Sequence, residues 1–401
     1  MFKHKTKLRN LFQPGTGVEP PYLAGRFEEQ AFFNDQVEKL VGRQKIGSDM
    51  IVYGPRGNGK TAMLRYLQKK TDDRLETLWV TPSEFEDMGE LIELIVGNDT
   101  SLLKKAQEIL RPLFDNLSAL ANIGVAHVKT ALSRPRETLA LKALLREKCK
   151  KKPFILIMDE AHTLNPDIGK ALLNASQDIR GEDLPLFLVL AGTPNLETTL
   201  NQASATFWDE SSVFPLGRLS ETDAQQAILI PLKSCQVTSA DGVVEQVACR
   251  ADNYPYFIQI WGDRIAKRLA VSGSRELTME ILLETEHSAI AKCSTVYQQR
   301  YNEINRMGLV ALATDIAKTF HESANQYIPV QKLEMLVGLS LQEQGVSVSH
   351  EIVQENIQKL SHIGYIWEIA VSGEAGGEGP LLCYEPGIPS LMKFARRQQL
   401  P

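Results

Sequence analysis

The sequence has no Cys-x-x-Cys pair, and its five cysteines (Cys149, Cys235, Cys249, Cys293, Cys383) stand far apart. An odd, unpatterned set supplies neither a zinc site nor a disulfide framework and suits a reducing compartment. No run of about 18 apolar residues is present to cross a bilayer. The basic N-terminus, MFKHKTKLRNLFQPG, lacks the apolar stretch of a secretory signal. Together these absences predict a cytoplasmic chain with no membrane span. Positive charge is not in excess either: 44 Lys and Arg against 49 Asp and Glu leave a net of −5, so overall charge does not advertise a nucleic-acid partner. No repeat with a period of roughly 20–50 residues occurs.

What is present is an ordinary globular composition, 43% apolar and 23% charged over 401 residues. At roughly 100–200 residues per domain this length accommodates two to four. Residues 1–20 are polar, with Pro14, Gly15 and Gly17 opposing any helix, and read as a lead-in. An amphipathic helix is expected from Glu28 to about Val41. Four short apolar runs follow among helical segments: Met50–Tyr53, Thr77–Val80, Phe154–Met158 and Leu186–Ala191, with a fifth candidate at Val213–Leu216. Such strands alternating with helices predict a parallel sheet covered on both faces. Beyond it the pattern is helical, with Ser220 as N-cap, Ser239 capping a second helix, and Pro255 opening a third.

The first strand runs into Gly54-Pro55-Arg56-Gly57-Asn58-Gly59-Lys60-Thr61, followed by Ala62 and a helix to Lys69. This is G-x-x-x-x-G-K-[ST] in its proper context of strand, loop and helix. Glycines let the backbone curl until successive N–H groups point at phosphate oxygens, and the helix N-terminus adds its positive end. Lys60 is then the group for the β- and γ-phosphates, and the Thr61 hydroxyl a ligand of Mg²⁺. The partner motif is Ile155-Leu156-Ile157-Met158-Asp159-Glu160, a buried strand ending in two carboxylates. Asp159 suits the magnesium shell, and Glu160 the polarisation of an attacking water. The letters Asp-Glu-Ala-His at 159–162 invite a helicase reading, but no second lobe with its own motifs follows; His162 reads as an ordinary residue at a helix start.

With these motifs the sequence resembles the AAA+ superfamily, in the branch holding STAND signalling ATPases and initiator-type and transposition-regulator ATPases. Three further stretches carry the likeness. Pro20-Pro21-Tyr22-Leu23-Ala24-Gly25-Arg26-Phe27-Glu28-Glu29 looks like the segment that packs beside adenine. Leu186–Pro194 looks like the sensor-1 strand, with Thr193 at its tip feeling the γ-phosphate. Asn253-Tyr254-Pro255-Tyr256-Phe257-Ile258-Gln259 looks like the helical lid segment. The resemblance covers about residues 18–300 and implies an α/β P-loop NTPase fold with a parallel sheet, a helical lid and ATP with Mg²⁺ as ligands. It departs from ring-forming members, because Phe207–Ser212 ahead of the fifth strand holds no arginine. Arg218, after that strand, is the nearest candidate for a trans-acting arginine; Arg264 is the nearest for sensor 2, and reads as a solvated helix charge.

Residues 306–401 resemble a winged helix. The expected helices are Leu309–Phe320, one from Pro329, and one from Ser349 to about Ser361 closed by Gly364. Strands at Ile366–Val371 and Leu381–Tyr384 flank a glycine-rich tip (372–379). Seven Lys/Arg against eleven Asp/Glu in residues 301–401 oppose phosphate neutralisation, which favours a protein partner for this domain. Positive charge is concentrated at 129–152, where Lys129, Arg134, Arg136, Lys142, Arg146, Lys148, Lys150, Lys151 and Lys152 face only Glu137 and Glu147. With the basic N-terminus, that stretch is either a solvated face or a patch for DNA or an acidic protein. The resulting division is a lead-in (1–19), a nucleotide-binding core (20–217), a lid (218–304) and a winged-helix-like domain (305–401). The expected activity is slow ATP hydrolysis in a nucleotide-dependent switch that recruits a protein or DNA, as in transposition or defence, with nucleotide-dependent self-association compatible with it. A non-hydrolysing scaffold and a ring-forming motor are the alternatives.

Overall fold

A computed structural model describes residues 2–15, 17–71, 73–102, 104, 134–204, 206–323, 327–371 and 381–398. The expected glycine tip (372–379) and Lys129 lie outside the described residues. The chain opens with helix α1 (Phe2–Arg9), in place of the helix-free lead-in that its composition predicts; Pro14, Gly15 and Gly17 all fall after its end. Next come α2 (Phe27–Val41), β1 (Met50–Tyr53), α3 (Lys60–Lys69), β2 (Glu76–Val80), α4 (Met88–Val96), α5 (Arg134–Lys151) and β3 (Phe154–Met158). They are followed by α6 (Pro166–Gly181), β4 (Leu186–Gly192), α7 (Leu196–Ala203), α8 (Phe207–Glu210) and β5 (Ser212–Pro215).

The five strands form one sheet in the order β2-β3-β4-β1-β5, every pairing parallel. All residues of β3 and β4 are buried, as continuous apolar runs require when both faces are covered. On one face lie Leu91 and Ile92 of α4, Leu141, Leu144 and Leu145 of α5, and Leu172 of α6. Phe32 and Phe33 of α2 stack against Phe187 of β4 at 6.3 and 5.9 Å. Asp49, fully buried beneath β1, fastens three strands. Its Oδ1 accepts the Leu188 N–H at 2.9 Å, and its carbonyl accepts that of Ser212 at 2.8 Å. Burial pushes its carboxyl up to about 6 against the opposing pull of the Arg180 guanidinium. Because the strands are parallel, Tyr53, Val80, Met158, Gly192 and Pro215 all end at the sheet's carboxyl edge.

After β5 come α9 (Glu221–Ser234), β6 (Thr238–Ser239), α10 (Val243–Arg250), α11 (Pro255–Ser272), β7 (Glu276–Leu277) and α12 (Met279–Arg306). The chain then forms α13 (Val310–Glu322), β8 (Ile328–Pro329), α14 (Val330–Glu343), α15 (His350–Ile363), β9 (Ile366–Val371), β10 (Leu381–Pro386) and α16 (Pro389–Arg397). Ser220 caps α9 by accepting the Asp223 N–H, and Pro255 stands at the start of α11, both as expected. Ser239 does not cap a helix. It pairs with Leu277 in a two-residue strand, and α10 starts after Gly242, whose φ of 73° makes the turn. Ser349 caps α15 and Gly364, at φ 82°, ends it. Strands β8, β10 and β9 form a small antiparallel sheet.

By internal packing the chain divides into two compact units. One holds residues 26–53 and 63–215; the other holds 1–25, 54–62 and 216–401. The second unit has a continuous core running from α1 to α16, in which Leu8 and Phe12 are 1% exposed beside Trp261, Tyr254 and Phe257. The Phe12 ring lies so close to Gly262 of α11 that a Cβ there would stand 2.5–2.8 Å from three of its atoms. Gly262→Ala is therefore expected to destabilise this unit by about 1–3 kcal/mol, the usual cost of overpacking. Calorimetric melting of the variant checks this, and an unchanged transition would mean that the N-terminal segment does not depend on the seat.

Candidate functional site

The glycine-rich loop leaves the carboxyl end of β1 and enters α3 without a break. Gly54 has no room for a side chain: a Cβ would stand 2.3 Å from the Leu216 carbonyl oxygen. Gly57 and Gly59 take φ of 94° and 86°, in the left-handed region that favours glycine. At Gly57 a Cβ would also stand 2.8 Å from the Tyr254 ring. Asn58 is 2% exposed and its Nδ2 donates to the Leu216 carbonyl at 2.8 Å. The Asn58 N–H donates to the Pro55 carbonyl at 3.4 Å. From the start of α11, the Tyr254 hydroxyl donates to the Arg56 carbonyl and the Tyr256 N–H to the Gly57 carbonyl at 3.2 Å. Burial raises the Tyr254 phenol above its ordinary range, keeping it a neutral donor. Lys60 is 6% exposed, and its ammonium curls back over the loop, donating to the Gly54 and Pro55 carbonyls at 2.6 and 2.9 Å. Thr61 and Ala62, half-buried, complete the first turn of α3.

This donor set suits a polyphosphate. An ammonium, a positive-φ glycine loop and the open N-terminus of a ten-residue helix stand in sequence, and all three favour anionic oxygens. The loop packs as part of the second unit: a Cβ on Gly364, the residue ending α15, would stand 3.2 Å from the Pro55 Cβ. Arg56 is close to Glu303 of α12 at 3.8 Å.

At the end of β3, Asp159 is 4% exposed and its N–H donates to the Val80 carbonyl at 3.0 Å. Asp159 Oδ1 accepts the Glu160 N–H at 2.9 Å. Glu160 adopts φ 54°, ψ 28°, a left-handed conformation that costs a non-glycine residue free energy and clusters at functional sites. Its side chain is 47% exposed, with Oε2 3.5 Å from His162 Nδ1. His162 occupies a single turn of 3₁₀ helix, Ala161–Thr163. Its Nδ1 also accepts the Thr193 N–H at 3.4 Å, and its carbonyl accepts the Thr199 hydroxyl at 3.0 Å. Thr193 is fully buried at the end of β4. The sheet thus brings Asp159, Glu160 and Thr193 to one edge, with His162 between Glu160 and Thr193.

Arg218 has a different setting. Its guanidinium pairs with Glu385 of β10, so in this structure it is tied to the C-terminal strands. Arg264 is one-third exposed and 4.0 Å from Asp263. Arg134 and Arg136 lie outside the described side chains; among those described on α5, the expected cationic face is largely paired. Lys142 meets Asp178 at 2.7 Å, Arg146 meets Glu182, Lys150 meets Glu147 at 3.0 Å and Lys151 meets Asp99 at 2.9 Å. Lys148 points inward, 3% exposed, onto Glu76 and the Ile95 carbonyl, both at 2.7 Å.

Three contributors are not legible in the sequence. Asn58 and Tyr254 fall within motifs, but their roles as struts of the loop depend on the Leu216 and Arg56 carbonyls, which no local pattern announces. His162 has the look of a bland helix-start residue. Its position three after Asp159 is plain to see, but its reach to β4 follows only from the β3–β4 pairing.

Residues 47–200 match the model of the AAA domain family. No curated protein matches the chain in sequence. Among solved structures, a Walker-type ATPase of Pyrococcus abyssi aligns with a TM-score of 0.58 at 14% identity, over 97% of this chain and 99% of that one. The ORC2 protein of Aeropyrum pernix, solved in ADPNP–ADP complexes, aligns with a TM-score of 0.54 at 12% identity, again over 97% and 99%. At such identities the likeness is one of fold. The strand–loop–helix and the acid-tipped β3 both fall within residues 47–200, so this part of the chain matches an AAA domain, and the solved structures share its fold.

Proposed function

We propose that this protein is a slow ATPase used as a nucleotide-dependent switch. The observation that carries the reading is the packing of the phosphate loop (54–62) in one compact unit with residues 216–401. Tyr254, Tyr256, Leu216 and Gly364 all abut the loop, so a loop that rearranges around a triphosphate must move its struts. The residues from Gly54 to Ala62 cradle the phosphates, with Lys60 transferring its ammonium from the loop carbonyls to phosphate oxygens. Thr61 and Asp159 serve the magnesium shell, and Glu160 takes the proton of the attacking water. Magnesium held there would supply charge neutralisation for the transferred phosphoryl group. Thr193 reports the γ-phosphate from the tip of β4. Arg218 could act in trans only after leaving Glu385, which supports slow turnover over a ring motor.

Helices α13–α15 with strands β8–β10 have the element order of a winged helix, and their acidic balance supports a protein partner. Trp367 of β9 adjoins Gly217, where a Cβ would stand 3.0 Å from its indole nitrogen. Tryptophan emission is accordingly expected to change on adding Mg·ATP, and Trp367→Phe to remove most of the change. ATP binding with no turnover and no spectral change would favour the scaffold reading instead. DNA is a second candidate partner through the cations of 129–152. Reversing Lys150, Lys151 and Lys152 to Glu is then expected to lower the salt slope of duplex binding by about one for each phosphate left without its cation. An unaltered slope in a gel-shift titration would remove α5 from the interface.

A further inference from the structure

The turn after β3 carries a side chain whose contacts the nucleotide reading leaves unused. The His162 side chain is 6% exposed, and its Nδ1 lies between two groups of opposite demand: the Thr193 N–H at 3.4 Å, a donor, and the Glu160 Oε2 at 3.5 Å, an acceptor. A ring nitrogen can serve one of these at a time. While Nδ1 accepts from Thr193, the proton of the neutral ring is on Nε2 and Nδ1 has nothing to donate to Glu160. If the Thr193 N–H turns to another acceptor, Nδ1 can take the ring proton and donate to the carboxylate.

The backbone holds the ring where this choice arises. The His162 carbonyl accepts from Thr199 of α7 at 3.0 Å. A Cβ on Gly192 would stand 3.2 Å from both the Cβ and the backbone nitrogen of His162, so the glycine lets the turn seat directly on the end of β4. Glu160, in its left-handed conformation, has its carboxylate half in solvent and needs a neighbour to restrict it.

We propose that His162 is a positioning residue for Glu160, fixing its carboxylate according to whether the Thr193 amide is engaged elsewhere. The inference rests on the ATPase reading above and deepens it. In a neutral ring this exchange only moves one proton from one ring nitrogen to the other, so it creates no net charge.

Three forms of the full chain test it: wild type, His162→Leu and His162→Asn. Leucine fills the space without a polar atom. The asparagine side-chain amide matches the Cγ–Nδ1 branch of histidine and presents either an acceptor or a donor there. Misplacing a base by about 1 Å can cost on the order of 100-fold in rate; His162→Leu is therefore expected to lower kcat about 10- to 100-fold. Its KM and its affinity for Mg·ATP should remain within about twofold, and His162→Asn should recover kcat to within about threefold of wild type, since the same polar contacts are remade. Nitrogen-15 spectra of the nucleotide-free chain should show an unprotonated Nδ1 on His162, shifting toward the protonated form with magnesium and a non-hydrolysable ATP analogue. Equal kcat in the leucine and asparagine variants, or a tautomer unmoved by the analogue in a chain that hydrolyses ATP, would overturn the role of His162 alone. Wild-type chain that binds ATP without turning it over would overturn the ATPase reading, and this inference with it.

Discussion

Glu160→Gln is expected to cut ATP turnover by about 10²- to 10⁴-fold, the usual contribution of a general base, while Mg·ATP affinity stays within about twofold. The amide is nearly isosteric with the carboxylate and keeps the backbone bond from the Glu160 N–H to Asp159 Oδ1, so the turn after β3 should survive. What is lost is the capacity to accept a proton. Glu160 is suited to this role because it is half-exposed, with its carboxylate open to water, whereas Asp159 beside it is buried. The two acids thus have different surroundings despite being adjacent in sequence. Steady-state phosphate release and equilibrium titration with a fluorescent ATP analogue, on the same preparation, separate chemistry from binding. Undiminished turnover in the glutamine form would remove Glu160 from the proposed chemistry.

Lys60→Ala is expected to weaken Mg·ATP binding by 100-fold or more. The ammonium is nearly sealed from solvent and already supports the loop through the Gly54 and Pro55 carbonyls. A charged hydrogen bond contributes about 1.5–3 kcal/mol, and two of them to phosphate oxygens amount to at least about 3 kcal/mol, or roughly 100-fold in Kd. Alanine also leaves those two carbonyls without their donor, so part of the loss comes from a loop less set in shape. Calorimetric titration checks the magnitude, with the melting transition recorded in parallel to separate loss of the site from loss of the fold. Retained affinity would mean that the phosphates are held without this lysine.

The sheet is legible in the sequence because its signal is local. Phe154–Met158 is a strand with the bounds expected, and so is Met50–Tyr53, since uninterrupted apolar runs between polar turns leave few alternatives. The loop motif likewise places α3 at Lys60–Lys69. Elements stabilised from a distance are harder to see. Helix α1 is held by Leu8 and Phe12 entering a core built from residues more than 200 positions away, which a polar, proline- and glycine-containing segment does not advertise. Strands β6, β7 and β8 are two residues long, too short for any period to register. The cationic character of α5 misleads in a similar way. Counted along the chain its charges face only Glu137 and Glu147, but the partners Asp178, Glu182 and Asp99 come from elsewhere in the chain. Sequence distance hides the neutralisation.

One carbonyl oxygen, that of Leu216, bars any side chain at position 54 and receives the amide of Asn58. Main-chain atoms cannot be edited by exchanging the residue that bears them. The mould of the proposed phosphate cradle therefore depends less on which apolar side chain fills the buried position 216 than on the spacing that delivers its peptide group. Apolar replacements that fit this fully buried position should leave the cradle intact, whereas inserting a residue between Pro215 and Leu216, or deleting either of them, would dislodge it.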